Sequence, residues 1–369
     1  MATEVTNYQC PACTGPLHYS GASGKLECEY CGNAYDVAEI EALYAEKEKE
    51  AREAFEKAQA EEDSQWDQAS LNSDWGADGA KMRVYNCPSC GAELICDDTT
   101  AASSCPYCGN PTVVPGQFHG ALRPDYIVPF KLDKEGAKAA LKKLYKGKKF
   151  LPGAFTQTSK IEKIQGIYVP FWMFDGEATA DMAYETTRSH THVSGDYEVT
   201  NTEHFDVRRA GRVAFQKIPV DASKKLPDEH MDAIEPFDYS ELKEFSSAYL
   251  PGYLADKYDV SVEESSPRAD ERACNTAADT MRKDVTGYDT CTEKSRKVNL
   301  KRGKVSYAML PVYLLNIDWK GQKFLFAVNG QTGKTVGNLP ISKAKYWAWF
   351  AGLTAALAVP FTLLAMLIF

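Results

Sequence analysis

Cys87-Pro-Ser-Cys90 and, fourteen residues on, Cys105-Pro-Tyr-Cys108-Gly109-Asn110 form the stretch on which the reading of this chain turns. A CxxC turn sets two thiolates on one side of a knuckle. Two facing knuckles supply the tetrahedral four-sulfur cage that zinc prefers. The pattern also stands 77 residues earlier, as Cys10-Pro-Ala-Cys13 and Cys28-Glu-Tyr-Cys31-Gly32-Asn33, and Tyr8 recurs as Tyr85. More than cysteine repeats at one offset, so the N-terminal part is an internal duplication. Each copy is expected to be a small ribbon around a short β-hairpin. Together they predict two structural Zn2+, one ligated by Cys10, Cys13, Cys28 and Cys31, the other by Cys87, Cys90, Cys105 and Cys108. A closed set of four cysteines leaves no open coordination position for catalysis. Gly32, Gly91 and Gly109, each following the second cysteine of a knuckle, permit the positive φ such a turn needs. Cys96 occupies the place of Tyr19 and is expected to pack rather than ligate, while Cys274 and Cys291 read as ordinary thiols.

Working outward, the chain has 369 residues, 44% hydrophobic and 25% charged, which excludes wholesale disorder, collagen and a many-span transporter. It has room for two or three folded units. The net charge is −9, so a polyanion is a disfavoured partner. Residues 1–36 carry Lys25 against Glu4, Glu27, Glu29 and Asp36; residues 81–118 carry Lys81 and Arg83 against Glu93, Asp97 and Asp98. Neither ribbon presents a cationic face able to release counterions from phosphate. Protein docking is therefore preferred, with a nucleic-acid-binding regulator as the alternative.

Between the ribbons, residues 37–67 read as an acidic helix with a modest stripe of Ile40, Leu43, Tyr44, Ala51, Ala54, Phe55 and Ala58. It is a solvated spacer or, alternatively, a short coiled coil. Residues 68–80, rich in Ser, Asn, Asp and Gly, read as a flexible linker. A middle domain, 119–342, mixes helices and strands. Asp133 should cap a helix running to about Lys146. Residues 131–149 hold eight lysines against two acids; Lys138, Lys142, Lys143 and Lys146 could contact anionic lipid, or form a solvated helix face. Successive strands are expected over 161–220, short helices and turns over 228–258, a longer helix over 262–284, and strands again at Val305–Asp318 and Gln322–Val328. Tyr168-Val169-Pro170-Phe171-Trp172 and Leu310-Pro311-Val312-Tyr313-Leu314 echo each other. Gly333-Lys334-Thr335 imitates the end of a phosphate-binding loop. Val328 stands where its first glycine belongs, and the segment from Val336 to Pro340 cannot make the helix that loop requires, so a tight β-turn is the reading. His190, His192 and His204 could gather round a metal, but no supporting acid or nucleophile motif accompanies them, and a non-enzymatic protein is expected. A hydrolase in this domain is the further alternative.

The two ends differ. Met1-Ala2-Thr3-Glu4 has no basic or apolar leader, so no signal peptide is expected. Residues 346–369 run YWAWFAGLTAALAVPFTLLAMLIF without a charge. A helix of that length spans roughly 36 Å, and Tyr346, Trp347, Trp349, Lys343 and Lys345 suit an interface. The expectation is a C-terminal transmembrane tail anchor over 343–369, with the bulk of the chain in the cytoplasm.

The duplicated ribbon, Cys105-Pro-Tyr-Cys108-Gly109-Asn110-Pro111, Pro124-Asp125-Tyr126, Phe130-Lys131, Tyr168-Val169-Pro170-Phe171-Trp172, Ile218-Pro219-Val220-Asp221, Ile234-Glu235-Pro236 and Asn329-Gly330-Gln331-Thr332-Gly333 resemble the bacterial TFIIB-type zinc ribbon-containing membrane proteins. The resemblance implies an adaptor encoded beside PspA-like and SPFH-type proteins that recruits such a scaffold to a stressed membrane. The full expectation is an α+β protein: zinc ribbon 1 over 1–36, helical spacer and linker over 37–80, zinc ribbon 2 over 81–118, an α/β middle domain with antiparallel sheet over 119–342, and the transmembrane helix.

Overall fold

The computed structural model describes residues 8–21, 23–60, 65–76, 79, 82–97, 100, 104–110, 114–116, 122–194 and 196–368; the side chains of 48, 51, 54–60, 97, 359 and 361–368 are likewise outside the description. The stripe positions Ala51, Ala54, Phe55 and Ala58, the charges Glu4, Lys81 and Asp98, Pro111, and the end of the C-terminal apolar run therefore lie outside the described residues or side chains. In chain order the strands and helices are β1 (Leu17–Ser20), β2 (Lys25–Cys28), β3 (Ala34–Tyr35), α1 (Val37–Ala60), β4 (Met82–Asn86), β5 (Glu93–Asp97), β6 (Val114–Gly116), β7 (Tyr126–Ile127), α2 (Lys134–Tyr145) and α3 (Thr158–Ile161). They continue with β8 (Gln165–Ser194), β9 (Tyr197–Asp221), α4 (Asp228–Ile234), β10 (Lys243–Glu244), β11 (Leu254–Asp256), α5 (Val262–Lys283), β12 (Thr290–Trp319), β13 (Gln322–Asn329), β14 (Thr335–Gly337) and α6 (Lys343–Ile368).

The chain divides into two compact units. The first holds residues 1–67, 174–218 and 266–304. Its N-terminal part is a three-stranded sheet, β1-β2-β3, antiparallel throughout. Cys10, Leu17, Leu26, Cys28 and Ile40 make its small core, so the start of α1 closes the ribbon through Ile40. In the rest of this unit β8 and β9 pair. Ala178, Ala180, Met182 and Tyr184 alternate inward along β8, and Ala269, Ala273 and Ala277 line the buried face of α5. Small residues on that face let a helix approach its neighbours closely. Trp66 is buried with its ring edge-on to Phe174 at 4.7 Å, and its indole N–H donates to Asp270 (3.2 Å), which also pairs with Arg302.

The second unit holds residues 68–173, 219–265 and 305–369. Its sheet runs β10-β7-β12-β8-β11-β5-β4-β6, with β13 on β12 and β14 on β13. The two echoing segments are neighbours here: Tyr168–Trp172 on β8 and Leu310–Leu314 on β12 lie on adjacent strands, and both segments are wholly buried. Continuous apolar runs suit strands covered on both faces. Asp133 caps α2 as expected, its carboxylate accepting the Gly136 N–H at 2.7 Å. Ala137, Leu141 and Tyr145 then bury one face of α2 against Phe326 and Val328 of β13. Residues 329–334 form the expected tight turn. Buried Asn329 accepts the N–H groups of Gln331 and Thr332 at 2.9 Å each, and Gly333 takes φ 76°. The segment read as a flexible linker is pinned, since Trp75 is buried edge-on to Phe245 at 5.7 Å. A composition-based reading misses one aromatic that outweighs its polar neighbours.

The C-terminal expectation requires correction. Residues 343–368 are helical, yet among the described residues no helix is long and apolar enough to cross a membrane. The transmembrane tail anchor, the membrane as a partner through that helix, and the single-pass localisation inferred from it are therefore not upheld. The start of α6 is occupied by the protein itself. Lys345 Nζ donates to the Leu151 carbonyl (2.7 Å), and Tyr346 and Trp349 pack against Phe150 at 5.8 and 6.4 Å. Lys149 lies over the Trp349 ring at 4.4 Å. Two of the three aromatics expected at a bilayer surface, Tyr346 and Trp349, thus have a contact within the protein.

Candidate metal centres

In ribbon 1 the knuckles are built by backbone bonds that the cysteine spacing dictates. The Cys10 N–H donates to Gly15 O and the Thr14 N–H to Cys10 O; in the second knuckle the Cys28 N–H donates to Asn33 O and the Gly32 N–H to Cys28 O. Ribbon 2 repeats all four at the 77-residue offset: Cys87 to Ala92, Gly91 to Cys87, Cys105 to Asn110 and Gly109 to Cys105. Gly32, Gly91 and Gly109 take φ between 71° and 74°, while Thr14, in the place of Gly91, is forced to φ 59°. A β-branched residue there carries strain of about 1 kcal/mol or more. Replacing Thr14 with Gly is expected to tighten zinc in ribbon 1 by about fivefold, from about 1 kcal/mol of relieved strain. Competition against a chromophoric chelator measures this; unchanged affinity would mean the turn absorbs the residue freely.

The thiols meet the requirement for zinc. Each set of four sulfurs lies within 4.8 Å of one another. Cys10–Cys31 and Cys13–Cys28 are 3.5 and 3.4 Å apart; Cys87–Cys108 and Cys90–Cys105 are both 3.6 Å apart. A regular tetrahedron with Zn–S near 2.3 Å has edges of about 3.8 Å. Two zinc ions are the cofactors of this protein, held by the eight cysteines read from the sequence. The cages also bias proton loss. Against the opposing effect of desolvation, the Tyr35 hydroxyl and the N–H groups of Ala12 and Cys13 bring Cys10 down to about 6. Cys87, likewise against desolvation, is brought to about 7 by the N–H groups of Cys90 and Ser89. Cys13 moves the other way. The Gly15 N–H favours its thiolate, but neighbouring Cys28 and Cys31 push it to about 12. Such a set ionises completely only around a cation.

The two copies differ in what surrounds them. In ribbon 2, β4, β5 and β6 are strands of the main sheet of the second unit, with β5 paired to β11 through Ala255–Ile95 and Asp256–Leu94. The second knuckle is gripped from below: Asn316 Nδ2 donates to the carbonyls of Pro106 (2.5 Å) and Tyr107 (2.8 Å), and Lys323 Nζ donates to that of Cys108 (2.7 Å). Tyr107 is 7% exposed. Its hydroxyl faces Asp256, and burial followed by the charge of that carboxylate holds the phenol well above its ordinary pKa. Asp256 itself is fully buried, accepts from Ser223 Oγ (2.8 Å) and lies 3.5 Å from Lys225 Nζ, which also pairs with Asp259 (2.8 Å). Sequence reasoning misses this support because Asn316, Lys323 and Asp256 lie far along the chain. A local signal exists: Ala92 stands where ribbon 1 has Gly15. The Tyr30 ring of ribbon 1 folds over Gly15, where a Cβ would meet it at 2.7 Å.

Cys96 is buried, its thiol donating to Thr100 O (3.1 Å), a packing residue as expected. Among the described residues the two cysteine sets are the only groups arranged to hold a metal; Cys274, Cys291, His190, His192 and His204 join neither. The three histidines are exposed on β8 and β9. Of the lysines offered for lipid contact, Lys138 is buried and bridges Glu135 (2.7 Å) and Glu162 (2.6 Å). It therefore faces no external ligand. Lys142, Lys143 and Lys146 are exposed at the C-terminal end of α2, where positive charge complements the helix dipole.

A family model described as Trm112p-like protein matches residues 9–39, the first ribbon and the start of α1. The chain is 33% identical to the uncharacterized protein YdjG of Bacillus subtilis (strain 168), over 77% of this chain and 97% of that relative. No solved structure matches.

Proposed function

Because the chain belongs to the family of the Bacillus subtilis protein YdjG, whose name states no activity, we propose its function from its own residues: a non-enzymatic adaptor in which zinc shapes a protein-docking module. Ribbon 1 is the docking element, and ribbon 2 is a structural member of the second unit. One observation carries this reading. Positions that are buried in ribbon 2 are exposed in ribbon 1: Tyr19 is 64% and Tyr30 78% exposed, against 0% and 7% for Cys96 and Tyr107. Exposed aromatics on a small rigid module suit a partner surface. The charge of ribbon 1 supports a protein over a nucleic acid, since its one basic residue among those described, Lys25, already faces Asp36 at 3.4 Å. Within this reading, a PspA-like or SPFH-type scaffold is the candidate partner that the sequence resemblance supplies.

The test is affinity capture from native cells with the full chain beside two double variants, Cys10→Ser/Cys13→Ser and Cys87→Ser/Cys90→Ser, with partners identified by mass spectrometry. A specific protein partner reduced at least about tenfold by the first pair is the expected result, the scale of losing an interface hot spot. Recovery of nuclease-sensitive nucleic acid would favour the regulator, and an unchanged partner set would reject docking through ribbon 1.

A further inference from the structure

The molecule contains a template for how its exposed ribbon is recognised. Ribbon 2 shows a knuckle of this design in its bound form, because the β12–β13 hairpin covers it. In that hairpin Asn316 lies opposite Leu325, and Lys323 opposite Asp318. Two donors on facing strands of one hairpin thus read three consecutive carbonyls, of Pro106, Tyr107 and Cys108. At the 77-residue offset the corresponding carbonyls in ribbon 1 belong to Glu29, Tyr30 and Cys31, and among the described residues no donor reaches them. Glu29 and Tyr30 are exposed where Pro106 and Tyr107 are buried; His18 and Tyr19 are exposed where Ile95 and Cys96 are buried. The knuckle face that the hairpin covers in ribbon 2 is bare in ribbon 1, while the strand edge that β11 covers in ribbon 2 is taken in ribbon 1 by β2.

The substitutions on that face set the chemistry of what covers it. Pro106 of ribbon 2 becomes Glu29, and buried Ile95 becomes His18, so the bare face is polar and acidic where the covered one is apolar. Glu27 and Glu29 flank Cys28, and a zinc ion with four thiolates adds a net charge of about −2 beside them. Oriented carbonyls, carboxylates and the thiolate cage all favour a cation that can also donate hydrogen bonds. Lysine does both, as Lys323 does for Cys108.

We propose that the Glu29–Tyr30–Cys31 knuckle of ribbon 1 docks a lysine-bearing segment of a second protein, which donates to the knuckle carbonyls as the β12–β13 hairpin does in ribbon 2. A second copy of this chain is not the occupant, because its own hairpin is already engaged on its own ribbon 2. The proposal rests on the docking reading above and adds the face and the chemistry of the partner.

The test uses the full chain in its native cells, with p-benzoylphenylalanine placed at Tyr30 and, separately, at Ser23 on the exposed β1–β2 turn. Adducts are sequenced, and each is repeated with Glu29→Lys, an exposed position whose change spares the cage. Retention of two zinc ions per chain confirms that each variant is folded. The expected result is an adduct from position 30 to a second protein, at a peptide containing lysine, with a yield cut at least about tenfold by Glu29→Lys. An adduct from position 23 but not from 30 overturns this face while leaving docking by ribbon 1 standing. An adduct from neither overturns both. An adduct from position 30 to another copy of the chain, to nucleic acid, to a peptide without lysine, or one indifferent to Glu29→Lys overturns the proposed occupant.

Discussion

Cys105→Ser is expected to lower the main thermal transition by about 10 °C or more, whereas Cys10→Ser leaves that transition within about 2 °C. Both changes remove one of four sulfurs from a closed zinc cage. Structural zinc supplies on the order of 10 kcal/mol of folding energy in small ribbons, and a cage of three sulfurs forfeits much of it. The difference lies in what else each ribbon supports. Ribbon 1 has its own three-stranded sheet and a core ending at Ile40, so its loss removes no strand from the second unit. Ribbon 2 contributes β4, β5 and β6 to the sheet of that unit, and Cys87, Leu94, Cys96, Cys105 and Tyr107 to the same apolar cluster as Phe171, Leu310 and Val312. When its knuckle opens, Asn316 and Lys323 lose their carbonyl acceptors and β11 loses β5. A forfeit of roughly 5 kcal/mol, at about 2–4 °C per kcal/mol for a unit of this size, gives the stated shift. Scanning calorimetry with zinc analysis of each variant measures it. Equal shifts for the two variants would show that ribbon 2 is no more built into the fold than ribbon 1.

That asymmetry is only half legible in the sequence. The cages are readable because ligand spacing is a local geometric requirement, and the 77-residue repeat exposes both at once. The Asp133 cap and the Asn329–Lys334 turn are readable for the same reason: each is a short-range bond between a side chain and its own backbone. What the repeat conceals is that the copies have opposite environments, a consequence of residues far along the chain, such as Asn316 and Asp256. β8 and β12 are visible only in pieces, because their buried halves read as apolar runs and their exposed halves as polar alternation. Lys138 looks like one of eight equivalent lysines; only the fold brings Glu162 to it. The C-terminal run reads as an isolated helix, yet its first aromatic turn belongs to Phe150 and Lys149. In each case the missed feature is a long-range contact that outweighs a correct local tendency.

Acidifying from pH 8 to pH 5 is expected to stabilise the wild-type protein relative to Asp256→Asn by about 1–1.5 kcal/mol. Burial raises the Asp256 carboxyl to about 6, opposed by Lys225 and by the Tyr107 and Ser223 hydroxyls. In the unfolded chain the same group titrates near its ordinary value of about 3.9. The folded state therefore holds the proton more tightly, and the cost of a buried carboxylate is present in full above pH 6. It is relieved as pH falls through 6 toward 4, at about 1.4 kcal/mol for each unit between the two values. The amide of Asp256→Asn carries no such cost at any pH, and Lys225 keeps Asp259 as its partner. Glu162 and Asp181, lowered by hydrogen bonds from Lys138 and Arg208, contribute in the opposite sense, with stability present above their unfolded values and lost below. They are common to both proteins and cancel in the difference. Urea titrations of both proteins at several pH values, with zinc content verified at each, supply the comparison. Parallel stability curves would mean that Asp256 stays ionised in the fold, with Lys225 rather than a proton neutralising it beneath the second zinc knuckle.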